Sequence, residues 1–111
     1  MKYLVMSTAI ESKIPMDPSQ AIPMLEQMIL PSVKQLKKME AEKKVLGGGF
    51  FSGSRDGAFI IEAESHKEVS EFLHFLPFWI GNRWTITPLD SFETRAGMVN
   101  VQIEHLKKIM K

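Results

Sequence analysis

The chain contains no cysteine. That absence excludes disulfides, thiolate nucleophiles and cysteine-based metal centres. An excess of charge of either sign is also missing: 14 basic residues stand against 13 acidic ones, for a net charge of +1. Such a balance gives no electrostatic case for nucleic acid or for an anionic membrane surface. No apolar run approaches the roughly 20 residues needed to span a bilayer. The opening stretch MKYLVMSTAIES has too short an apolar segment for a signal peptide, and it lacks a small-residue cleavage pattern. Together these absences fit a cytoplasmic protein that binds neither nucleic acid nor membrane.

What is present suffices for one modest core. The 111 residues are 44% hydrophobic, which argues against disorder and for one domain. Eight methionines are many for this length and suit core gaps or an adaptable interface.

Lys2–Ala9 reads as a first strand, with Tyr3, Val5 and Ser7 on one face and Leu4, Met6 and Thr8 on the other. Large apolar groups on both faces predict a central strand or one that faces a partner. After a connection over Ile10–Met16, Asp17-Pro18-Ser19-Gln20 is a helix start. Apolar residues follow at helical spacing, and Pro31 predicts a kink. Val45–Gly53 and Ala58–Glu64 read as a hairpin around Ser54-Arg55-Asp56-Gly57, where Asp-Gly is a tight-turn signal. Gly47-Gly48-Gly49 lies inside a strand, with no helix after it to form a phosphate-binding loop; a bulge or a close backbone approach fits better. Ser65 and Glu68 form a capping box for a second helix that ends near Leu76-Pro77. Asn82–Thr87 reads as the fourth strand, and a C-terminal helix over Ser91–Met110 is expected to break or loosen at Gly97. The order is β-α-β-β-α-β. It predicts an α+β, ferredoxin-like body over residues 1–90, a four-stranded antiparallel sheet, and a helical extension over 91–111.

Glu64-Ser65, Glu68, Glu71, Leu73, Leu76-Pro77 and Thr87-Pro88-Leu89 together resemble the second half of muconolactone isomerases. Gly48-Gly49, Asp56-Gly57 and Glu62-Ala63-Glu64-Ser65 are also similar to YciI-like proteins. Both families belong to the dimeric α+β barrel superfamily. The resemblance implies a homodimer, or a larger ring of dimers, whose sheets face one another around a small-molecule pocket. The chain departs from muconolactone isomerases at Leu4, Met6 and Leu46–Gly49, where that family carries polar pocket residues.

Among candidate site residues, Glu62 shares a strand face with Ala58 and Ile60 and would point between the sheets. A carboxylate in an apolar cavity can act as a general acid or base; a paired or rim-exposed glutamate is the plainer reading. Arg83, on the same predicted face, could hold developing negative charge or bridge to a partner's acid. His74 suits proton transfer but sits at a helix edge. Leu4, Met6, Phe50, Ile60, His74 and Trp79 would line an apolar ligand pocket, and a dimer core selects the same residue types. The three histidines have no carboxylates at ligand spacing, so neither a metal nor another cofactor is expected. The expected activity is cofactor-independent proton-transfer isomerisation of a hydrophobic or aromatic-derived metabolite, with Glu62 and Arg83 catalytic. A non-catalytic small-molecule-binding or oligomeric interaction module and a cofactor-free monooxygenase are the alternatives.

Overall fold

The computed structural model describes residues 1–10 and 17–110. Its elements run β1 (Lys2–Ala9), α1 (Pro18–Met24), a π-helical turn (Leu25–Ile29), α2 (Leu30–Ala41), β2 (Val45–Phe50), β3 (Gly57–Glu62) and α3 (His66–His74). A 3-10 turn (Trp79–Gly81), β4 (Asn82–Leu89) and α4 (Phe92–Ile109) complete them. The fold is α+β, with one four-stranded antiparallel sheet in the order β2-β3-β1-β4. Apart from Ile10, the connection expected over Ile10–Met16 lies outside the described residues.

β1 is central, as its two apolar faces require. Lys2 pairs with Glu62 on β3 and with Leu89 on β4, and Ser7 pairs with Gly57 and Trp84. This register sorts the alternating side chains. Tyr3, Val5, Phe59 and Ile61 are buried with Val69 and Leu73 of α3 and Met39 of α2. Leu4, Met6, Ala58, Ile60, Thr85 and Thr87 share the opposite face, and none of them is buried. α2 and α3 therefore cover one face of the sheet, and the other is left open.

The first helical rod starts where Asp17 accepts the Ser19 N–H at 3.1 Å and Pro18 opens the first turn. Pro31 has no N–H to give, and its ring crowds the carbonyl one turn back. The backbone answers with the π turn, in which the Leu30 N–H reaches back to the Leu25 carbonyl. The rod ends at Lys43, whose φ is 63°. There the Lys43 N–H donates to the Glu40 carbonyl and the Lys44 N–H to the Met39 carbonyl, a Schellman stop normally made with glycine.

The hairpin differs from its sequence reading. Asp56-Gly57 is not the turn centre, because Gly57 already belongs to β3 and residues 51–56 form the loop, with Gly53 at φ 83°. The Phe51 N–H closes the loop on the Asp56 carbonyl at 2.8 Å, and the Asp56 carboxylate accepts the Ala9 N–H at 2.8 Å. The hairpin tip is thereby pinned to the end of β1. The bulge falls just before the glycine run, at Leu46, and the run itself makes a close approach: a Cβ on Gly48 would collide with the Ala58 carbonyl and Phe59 Cα.

Ser65 caps α3 by accepting the Glu68 N–H at 3.2 Å, while the Glu68 carboxylate turns back to the Glu64 N–H at 3.0 Å. The break expected at Gly97 is absent. α4 is continuous from Phe92 to Ile109, capped by Ser91, because one exposed glycine costs only about 1 kcal/mol in a helix. Every described residue of α4 is exposed. The chain measures 73 × 27 × 23 Å with a radius of gyration of 19.0 Å; a compact chain of this length has about 13 Å. No helix among the described residues is long and apolar enough to cross a membrane.

Lys43 holds a backbone conformation that costs a non-glycine residue about 1 kcal/mol. Lys43→Gly is expected to raise the urea unfolding midpoint without changing the slope, a gain of about 1 kcal/mol.

Candidate functional site

The residues singled out from the sequence fall in three places. Leu4, Met6, Ile60, Glu62 and Arg83 lie on the open face of the sheet. Glu62 pairs with the Lys2 end of β1 and Arg83 with Thr8, so the two are roughly 20 Å apart along the strands. One chain does not bring them together. Glu62 accepts from the Met1 amine at 3.1 Å, and both groups are about half exposed. Such an exposed pair contributes little to stability. Arg83 is exposed.

Phe50, His74 and Trp79 are on the helix side, so a single pocket joining them to Leu4, Met6 and Ile60 does not form. The sheet itself separates the two sets. The His74 ring packs on Trp79 at 4.0 Å between centroids, and its Nδ1 lies 2.6 Å from the Ser70 carbonyl. Trp79 stacks on Trp84 at 5.4 Å. Phe75 is 77% exposed, apart from that stack.

A cavity lies elsewhere, at the end of the sheet where α1, the π turn and α2 pass over the hairpin tip. It has a volume of about 480 Å³. Met24, Met28, Ile29, Val33, Phe50 and Phe78 form its apolar wall, and Arg55 and Asn82 are among its few polar residues. A second cavity of about 330 Å³ adjoins it and shares Val33, Phe50 and Phe78. Gly48 and Gly49 of β2 line this second space.

Three sets of contacts tie together the segments around this cavity. Ser32 is fully buried; its hydroxyl donates to the Met28 carbonyl at 2.7 Å and accepts the Phe78 N–H at 3.0 Å. That bridge ties the proline-shaped rod to the aromatic connection after α3. Asn82 holds the same connection from β4: its amide donates to the Phe78 carbonyl at 2.8 Å and its oxygen accepts from the Ser7 hydroxyl at 3.1 Å. Phe78 then meets Phe50 and Trp84 edge-on, at 6.4 and 5.7 Å.

Arg55 is the chemically distinctive group. Its Nε and Nη2 atoms are buried and have no hydrogen-bond partner among the described residues. Buried donors left unpaired are costly, and a guanidinium offers two parallel N–H groups that match a carboxylate. An apolar cavity with one such anchor suits an apolar acid. The sequence reading took Arg55 for a turn residue. The missed signal was an arginine beside Asp56, whose own carboxylate is spent on the Ala9 amide.

Ser32→Ala would leave the Phe78 N–H buried without a partner. We expect a loss of about 1–3 kcal/mol in denaturant unfolding. The Phe78 ring should also loosen, read as altered fluorescence of its neighbour Trp84.

The chain matches no protein-family model, and no curated protein matches it significantly.

Proposed function

We propose that this protein binds a small apolar molecule bearing a carboxylate, with the body of the ligand in the cavity of about 480 Å³ and its anion on Arg55. The observation that carries this reading is that Arg55, a lining residue of the apolar cavity, has two buried guanidinium nitrogens without a partner among the described residues. The class agrees with the hydrophobic or aromatic-derived metabolites expected from the sequence. Around that site, the strand order and one-sided helices support a ferredoxin-like protomer. The open face with Leu4, Met6 and Ile60 supports the face-to-face sheet pairing of a dimeric α+β barrel.

Binding of 2-naphthoate, followed by calorimetry, tests the site against the neutral 2-naphthamide. Arg55→Met should weaken naphthoate binding by about tenfold or more and leave the amide unchanged. Equal affinity for acid and amide, or naphthoate binding indifferent to Arg55→Met, would sink the proposal.

Proton-transfer isomerisation is a second reading, favoured by the placement of Glu62 and Arg83 on one open face. Their separation means that a second copy would have to supply one of them. Glu62→Gln should then reduce turnover of an unsaturated lactone by about 10²-fold or more, the range for a lost general base. Unchanged turnover removes Glu62 from the chemistry.

A further inference from the structure

α4 carries an apolar seam that no other part of the described chain covers. Phe92, Ala96, Val99, Ile103, Leu106 and Met110 follow one another at alternating spacings of four and three residues. That is the repeat of a two-stranded coiled coil. All six are exposed, Leu106 at 58% and Phe92 at 97%. An isolated 18-residue helix gains little stability in water, and Gly97 and five β-branched residues lower its intrinsic propensity further. Packing on the seam is what would stabilise it.

The charges select the occupant and its direction. Glu93 lies in the first turn of α4, and Lys107 and Lys108 lie in the last. A parallel pair of copies would set like ends side by side and align the two helix dipoles. An antiparallel pair opposes the dipoles and brings each acidic start beside a basic end. In that direction the seam also closes by size: Ala96 meets the partner's Leu106, Val99 meets the partner's Ile103, and Phe92 meets the partner's Met110. Glu93 then flanks the partner's Lys107. Within its own chain Lys107 has only a 4.0 Å contact with Glu104, both well exposed.

We propose that α4 pairs with α4 of a second copy of this chain as an antiparallel two-helix coiled coil, with the alternating seam as its core. The proposal is independent of the Arg55 cavity. It leaves the open sheet face free, because the two bodies sit at opposite ends of a rod about 27 Å long.

Sedimentation equilibrium of the full chain tests it. Wild type should associate reversibly, and Ile103→Asp should raise the dissociation constant about tenfold or more. Glu93→Lys and Lys107→Glu should each weaken association, and the double variant should restore it, as only the antiparallel direction allows. The lack of cysteine permits a second readout. Oxidised Asn100→Cys should cross-link, because the antiparallel pair places that position beside its own copy; Val99→Cys should cross-link only in a parallel pair. A monomer at all concentrations, association indifferent to Ile103→Asp, or cross-linking through Val99→Cys instead of Asn100→Cys overturns the proposal.

Discussion

One buried hydroxyl organises the helix side of this protein. Ser32 links the Met28 carbonyl to the Phe78 amide, tying the first helical rod to the aromatic connection. The geometry depends on the proline before it. The π turn takes up an extra residue, which rotates everything downstream by about 100° relative to an unbroken α-helix. That rotation sets Ser32, Val33, Leu36 and Met39 over the sheet, while Met24, Met28 and Ile29 upstream line the cavity. A residue that breaks helix rules thus sets the phase of the helix, and the hydroxyl fixes it. Phe78, held by this bridge, is a wall of both cavities.

The two faces of the sheet have different work to do. The covered face supplies the core and, at its end, the Arg55 cavity. The open face presents Leu4, Met6 and Ile60 without cover among the described residues, and β1, apolar on both sides, is a central strand as expected. α4 adds a third apolar surface, directed away from the body. Together, these surfaces account for a chain with 44% hydrophobic residues whose buried core is nevertheless small.

Much of the fold could be read from the residues. The caps at Asp17 and Ser65, the disturbance at Pro31 and the face assignments of β1, β3 and β4 rest on local rules, and local rules survive into the structure. The site was harder to read because it is built from distance in sequence. Ile10, the rod around Met28, the hairpin tip at Arg55 and the turn before Asn82 meet only through topology. Alternation placed Glu62 and Arg83 on one face correctly, but alternation carries no information on register, which sets them at opposite ends. The seam of α4 was masked for a different reason. Met98 and Val101 interrupt its pattern, and Gly97 suggested a break where the helix simply continues.

The irregularity of β2 has a consequence for the sheet as a whole. β2 and β4 are its outer strands, and a straight apolar outer strand is a template on which other chains can align. Leu46 bulges out of register and Gly48 turns to a φ of 130°, so the outer hydrogen-bonding groups of β2 do not form an even row. At the other margin Pro88 removes a donor from β4 and Arg83 adds charge. Uncontrolled strand addition is discouraged at both margins.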